Sequence, residues 1–371
     1  MPAHVVRVAP GSLTGLRAVE LRWVRVPLVE PFVASHGVEH DREVVLVEAA
    51  GADGVSGWGE CVALSQPTYT DEHTAGAWDA LRELVPAVLR GEPVEVAAAP
   101  MAWTAVETAL LDRTLRADGV ALVAHLGGER ASVPSAAVVG MRPTIDALLE
   151  AVGARVDAGH ALVKLKIEPV GAAEAVRAVR SVWPDLVLAA DANGSFAGRP
   201  EALEPLLDLG LAYVEQPLAA ADLAGHASLR RRGLRVALDE SITTPEDLEG
   251  AVAAGAVDIV NLKPGRVGGI AASSRVLSVA REAGVDAFVG GMLETGVGRA
   301  LGLAFAALDA CTWPTDLGPS GRYFADDVTA PIVLGPDGRL PVPHGAGLGV
   351  TPRPDRLAEV TVRHETWPAR T

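Results

Sequence analysis

The stretch Leu162-Val163-Lys164-Leu165-Lys166 is short, mostly apolar and ends on an ionisable side chain, and the same design returns down the chain. Leu186 to Ala190 leads to Asp191, Leu211 to Val214 to Glu215, Val236 to Leu238 to Asp239, and Ile259 to Leu262 to Lys263. The intervals between these charged ends are 25, 24, 24 and 24 residues. A buried strand of five or six residues, a helix of about ten to twelve and two short loops fill such a period. The intervening segments carry helix signals: Thr244-Pro245-Glu246-Asp247 offers an N-cap, an N1 proline and a first-turn acid, Gly255 ends that helix, and Gly210 and Gly284 end two others. Further units are read at Val133 to Gly140, Ala287 to Met292 and Cys311 to Leu317. Parallel strands joined this way need right-handed crossovers and a cover of helices, and six or more units favour a closed TIM-type barrel over an open α/β sheet.

The N-terminal part is patterned differently. Strand-like runs at Val19 to Val26 and Val44 to Glu48 precede helical stretches at Asp71 to Leu89 and Trp103 to Arg116, which describes an α+β unit. Gly127-Gly128-Glu129 and Pro134 punctuate a boundary, giving an expected division into residues 1–130, a barrel over 131–330 and a tail over 331–371. The Pro/Gly-rich tail is expected to return onto the N-terminal unit.

Composition bounds the function. Of the 371 residues, 49% are hydrophobic and 21% charged, enough for a large core. A formal net charge of −15 argues against a nucleic-acid partner, and the densest basic cluster, Arg230-Arg231-Arg232, reads as a solvated helix end. No apolar run has the length of a membrane span, and Met1 to Ser12 lacks the pattern of a secretion signal, so a cytoplasmic location is expected. Cys61 and Cys311 stand far apart and suggest packed thiols rather than a disulfide or a zinc site. The expected partner is a small-molecule carboxylate, with a homo-oligomer as a further expectation.

Active-site groups of a parallel barrel lie at the C-terminal strand ends, so the five charged ends should converge on one mouth. Asp191, Glu215 and Asp239 come from consecutive strands, and three facing carboxylates repel unless a cation sits among them. Hard oxygen donors in that number suit Mg²⁺, for which Mn²⁺ can substitute. Lys164 and Lys166 share a strand face, and a buried lysine pair is costly unless anions compensate it. Lys263 approaches from across the mouth, so a bound carboxylate would have Lys166 and Lys263 on opposite faces of its α-carbon. That arrangement points to α-proton removal, with Lys166 as base and the metal stabilising the enediolate charge. Single strand-end acids are more often caps or ion pairs, but three in step with two lysines are hard to explain that way.

Lys164-x-Lys166, Asp191-Ala192-Asn193, Glu215-Gln216-Pro217, Asp239-Glu240-Ser241 and Lys263-Pro264-Gly265 together resemble the muconate-lactonizing branch of the enolase superfamily. The resemblance implies a modified (β/α)7β barrel whose N-terminal α+β unit, marked by Gly57-Trp58-Gly59-Glu60, is a capping domain completed by the tail. Gly290-Gly291-Met292-Leu293-Glu294-Thr295-Gly296, Arg266 and the tail Gly345 to Val350 are similar to o-succinylbenzoate synthases and N-succinylamino acid (N-acylamino acid) racemases. The synthase reaction would dehydrate 2-succinyl-6-hydroxy-2,4-cyclohexadiene-1-carboxylate to 2-succinylbenzoate in menaquinone synthesis. Dipeptide epimerase and cycloisomerase activities occur in the same branch. By the same resemblance, substrate contacts are expected from Lys164, Asn193, Arg266, Gly291, Met292, Leu293, Ser135 and Phe32, the last in a mobile mouth loop that also holds His36. Arg266 either tunes Lys263 or forms a plain strand-end salt bridge. Three other readings stay open: a Schiff-base aldolase barrel, phosphate binding at Gly268-Gly269 and Gly290-Gly291, and a barrel that binds without catalysing.

Overall fold

The computed structural model describes residues 5–34 and 37–369, with side chains for 5–31 and 39–369. Seven parallel strands pair each with the next in chain order: Ala136–Val139, Leu162–Lys166, Leu188–Asp191, Val214–Glu215, Val236–Leu238, Ile259–Leu262 and Asp286–Val289. Helices cross over between them and cover the outer face, where Val163, Leu165, Val214, Val236, Leu238, Val260 and Leu262 are buried in the main core. The helix Pro245–Ala253 starts as its sequence dictates: the Thr244 side chain accepts from Asp247 N–H and the Asp247 carboxylate caps the Thr244 N–H in return. One crossover departs from expectation, because the segment ending at Gly210 is a 3-10 helix, Pro200–Leu206, rather than an α-helix. Pro205 inside it has no N–H to donate to a helical ladder.

The curled sheet is closed by an irregular eighth segment. Thr312 and Trp313 N–H groups donate to Ala287 O on the last strand, and Thr315 O accepts from Ala136 N–H of the first at 2.7 Å. Within the barrel, side chains alternate. Ala136, Leu162, Ala189, Ala237, Ile259 and Phe288 from six of the strands, with Tyr213 just before Val214–Glu215, form an apolar floor. Tyr213 stacks on Phe288 and meets Trp313 edge-on, with centroids 5.8 and 5.4 Å apart. Two residues further along the strands, on the same face, come Lys164, Asp191, Glu215, Asp239 and Asn261. The two-residue period of a strand thus sets a polar tier on a closed floor.

The N-terminal unit is a four-stranded antiparallel sheet in the order Thr361–Pro368, Leu16–Ala34, Gly37–Gly51, Ser56–Cys61, backed by helices Thr74–Leu89 and Pro100–Asp118. The tail supplies its edge strand, Thr361–Pro368, against Ala18 to Val24. Helix Pro100–Asp118 packs backbone to backbone on Ser56–Cys61, and a Cβ at Gly59 would stand 2.0 Å from Ala105 O, so that position must be glycine. Both cysteines are free and buried. Among the described residues no helix is long and apolar enough to cross a membrane.

Candidate active site

Lys166 ends its strand directly beside Asp191, its registered neighbour. The Lys166 ammonium donates to Asp191 Oδ2 at 2.7 Å and to Asn193 Oδ1. Asn193 adopts the left-handed conformation (φ 42°), and its Nδ2 donates to Glu240 Oε1 at 2.8 Å. Gln216 (φ 40°) and Leu293 (φ 57°) are likewise left-handed, and all three follow strand ends at the mouth. Strained non-glycine backbone of this kind persists where neighbours over-determine it.

Across the mouth, the Lys263 ammonium donates to Asp239 Oδ2 at 3.0 Å and to the Tyr69 hydroxyl at 2.9 Å. Tyr69 comes from the N-terminal unit, and its hydroxyl donates to Asp239 Oδ2 at 3.0 Å. The Arg266 guanidinium bonds Asp239 Oδ1 and the Tyr69 hydroxyl, and also donates to Ile242 O and Asn261 O. Burial works to depress the Lys263 ammonium, but the adjacent Asp239 carboxylate reverses this and holds it well above its ordinary value. Burial would raise Asp239, and Arg266 with Lys263 drive it below the usual carboxylate range.

Between these halves lies Glu215. Its Oε2 takes a hydrogen bond from Lys164, and its Oε1 takes one from Asn261 Nδ2 at 2.7 Å. Lys164 is also bonded to Asp316 and is 1% exposed, so the anions its burial requires are present. Gln216 Oε1 accepts from the backbone N–H of Asp239 and of Ser241, which fixes the start of the next loop.

The Gly291-Met292-Leu293 turn is held from two sides. Gly291 N–H donates to Asp316 Oδ1 at 2.9 Å, and Arg42, fully buried, donates to Met292 O, Leu293 O, Val62 O and Ala63 O. The Met292 side chain packs into the core of the N-terminal unit. Glu60 reaches the following helix, Gly296–Ala306, accepting from Thr295 N–H, Thr295 Oγ1 and Gly298 N–H. Ser135 stands elsewhere. The first strand begins at Ala136, so Ser135 lies at its N-terminal end, away from the mouth, buried with its hydroxyl on Ala136 O. The expected substrate contact from Ser135 is therefore corrected. The Phe32 side chain and His36 lie outside the described residues. Tyr69, Asp316, Asn261 and Arg42 escaped the sequence reading, and Gln216 entered it only as part of the motif Glu215-Gln216-Pro217.

Among the described residues no group of three or more His, Cys, Asp and Glu side chains stands arranged around an ion, because each candidate carboxylate is turned onto a cationic side chain. The donor chemistry nevertheless fits a divalent cation. Glu215 is pushed up to about 8, first by burial, and, against the pull of Lys164, by Asp191, Asp239 and Asp316. A carboxylate crowded in this way is relieved by a cation, and oxygen donors from three adjacent strands suit Mg²⁺. Glu240 Oε2, buried without a partner, adds a further unsatisfied oxygen beside them.

Comparison with known proteins agrees with this architecture. Residues 147–356 match the enolase C-terminal domain-like family, and residues 17–127 match the mandelate racemase / muconate lactonizing enzyme N-terminal domain. An N-succinylamino acid racemase from Amycolatopsis is 44% identical over 360 residues, covering 93% of this chain and 97% of that protein. An o-succinylbenzoate synthase from Geobacillus kaustophilus is 36% identical over 344 residues, covering 89% and 92%. The crystal structure of an enolase superfamily member from Listeria innocua superposes with a TM-score of 0.90 at 31% identity, over 96% of this chain and 99% of that one. The chain belongs to the mandelate racemase and muconate lactonizing enzyme family of the enolase superfamily.

Proposed function

We propose that the chain is a Mg²⁺-dependent o-succinylbenzoate synthase, dehydrating 2-succinyl-6-hydroxy-2,4-cyclohexadiene-1-carboxylate for menaquinone synthesis in the cytoplasm, with N-succinylamino acid racemisation on the same site. The observation that carries this reading is the split of the mouth into two lysine halves. Lys166 is paired with Asp191 and Lys263 with Asp239, and Glu215 lies on the strand between those two carboxylates. Asp191, Glu215 and Asp239 would hold Mg²⁺, which when bound supplies Lewis-acid stabilisation to the carboxylate as its α-proton leaves.

The chain's own side chains account for the remaining chemistry. Lys166, as the amine, takes the α-proton, and the resulting ammonium then protonates the departing hydroxyl, so one C–H and one C–O bond break and water leaves. Lys263 as ammonium faces the other side and stabilises negative charge there. Lys164, buried and cationic, favours an anionic substrate beside Glu215 once the carboxylates are engaged elsewhere.

Racemisation as the main activity is the second reading, favoured by the Amycolatopsis relative and by the close hold of Arg266 on the Asp239 and Tyr69 partners of Lys263. There Lys166 would remove a proton from one enantiomer and Lys263 deliver one to the opposite face. A Schiff-base aldolase is disfavoured because its single reactive amine has no use for a ring of strand-end carboxylates. The test is steady-state kinetics on the cyclohexadiene substrate beside a panel of N-succinylamino acids, before and after EDTA treatment. Activity that disappears with EDTA and returns with Mg²⁺ or Mn²⁺ is expected. Calorimetry should show weaker Mg²⁺ binding by Glu215→Gln, and full activity without any divalent ion would remove the assignment.

A further inference from the structure

Asp316 lies just past the irregular closing segment of the barrel and belongs to none of the seven regular strands, yet it touches two working parts of the mouth. One oxygen bonds the Lys164 ammonium, and the other accepts from Gly291 N–H at 2.9 Å. The Lys164 side chain is 2% exposed and the Asp316 side chain 9%, so water does not share in either charge. A buried ammonium requires anionic partners, and Lys164 has two within hydrogen-bond reach, Asp316 and Glu215. A third carboxylate oxygen, Asp191 Oδ2, stands 3.9 Å away. That oxygen is the one on which Lys166 depends, at 2.7 Å.

We infer that Asp316 is a positioning residue for the Lys166 half of the site, holding Lys164 off Asp191 so that Lys166 keeps its own partner. The inference rests on the proton-transfer role proposed for Lys166. Without the Asp316 charge, Lys164 has Glu215 alone, and Asp191 Oδ2 becomes its nearest replacement. A shift of about 1 Å brings the ammonium into hydrogen-bond range there. It then competes with Lys166 for one oxygen. The Lys263 ammonium does not compete for Asp191, because its hydrogen-bond partners are Asp239 and Tyr69, and the Asp316 charge acts on it only across space. The expected damage therefore falls mainly on the Lys166 face. The second Asp316 oxygen ties the same residue to the Gly291 turn, so Lys164 and the wall of the mouth are set by one side chain.

The test is Asp316→Asn in the full chain. Its amide oxygen still accepts from Gly291 N–H, while the charge facing Lys164 is lost. Two readouts are taken: a crystal structure of the variant without metal or substrate, the state in which Lys164 and Asp191 stand 3.9 Å apart in the parent, and α-proton exchange into D₂O for each enantiomer of an N-succinylamino acid at saturating Mg²⁺. The two faces are assigned with Lys166→Ala and Lys263→Ala. Exchange on the Lys166 face should fall about tenfold or more, while the Lys263 face stays within about twofold of the parent. The crystal structure should show the Lys164 ammonium bonded to Asp191. Equal losses on both faces, no loss, or an unmoved Lys164 overturns the inference. Should the parent protein exchange neither enantiomer, the proposed function falls and the position of Lys164 in the variant decides the inference by itself. Asp316→Ser, neutral and smaller, carries the same expectation if the asparagine variant does not fold.

Discussion

Replacing Glu60 by glutamine removes a buried ionisable carboxyl that joins the N-terminal unit to the barrel. Glu60 is 3% exposed and accepts three hydrogen bonds at the start of the helix Gly296–Ala306, the helix that follows the Gly291-Met292-Leu293 turn. Burial lifts its carboxyl from the ordinary 4.5 to about 7, against the opposing effect of the Thr295 and Gly298 hydrogen bonds. A carboxyl raised in the folded state binds more protons folded than unfolded between those two values, so stability is full below pH 4.5 and is lost as pH rises through 7. At about 1.4 kcal/mol per pH unit, that interval corresponds to a loss of about 3 kcal/mol from this one group. Glu72 is also raised to about 7, chiefly by burial, and contributes in the same window. The difference between the parent protein and Glu60→Gln isolates Glu60. Urea unfolding measured from pH 4.5 to 7.5 should show the parent losing about 3 kcal/mol more than the variant across the range. Parallel curves for the two proteins would refute the reasoning.

Arg266→Gln should lower racemisation more than dehydration, by about tenfold, if Arg266 acts on Lys263 through Asp239 and Tyr69; kcat/KM for both reactions checks this, and equal losses would leave a structural role. Gly290→Ala would place a Cβ 2.1 Å from Asn261 Oδ1, the same side chain whose Nδ2 holds Glu215. A loss of about 2 kcal/mol in urea unfolding is expected, together with weaker Mg²⁺ binding by calorimetry, and unchanged values would show that Asn261 can move aside freely.

The regular part of this molecule was legible because strands repeat and loops do not. Each of Lys166, Asp191, Glu215, Asp239 and Lys263 follows an apolar run at a fixed interval, so one period located five groups and the barrel together. Asp316 falls inside the expected unit Cys311 to Leu317, but that segment has no apolar run ending on it and its strand character is reduced to the bridge between Ser135 and Thr315, so the period does not single it out. Tyr69 lies in a loop of the N-terminal unit with no periodicity, and only tertiary packing brings its hydroxyl to Lys263. Asn261 sits inside the apolar run Ile259–Leu262, where a lone amide reads as an ordinary strand residue. Ser135, expected from the resemblance to contact substrate, misses the mouth because the run from Val133 contains two strands: Ser132–Pro134 pairs with Arg339–Pro341, and the barrel strand starts only at Ala136. The apolar pattern alone does not mark that change of partner.

Lys166 and Lys263 are proposed to act on opposite faces of one α-carbon. The most direct measurement is proton exchange into D₂O for separate enantiomers of an N-succinylamino acid, with Lys166→Ala and Lys263→Ala compared under conditions where each binds Mg²⁺ as the parent does. Neither variant should racemise, which requires proton transfer on both faces. Lys263→Ala should exchange the proton of one enantiomer only, through Lys166, and Lys166→Ala only that of the other, through Lys263. Exchange of both enantiomers at the parent rate by either variant would contradict the two-face arrangement.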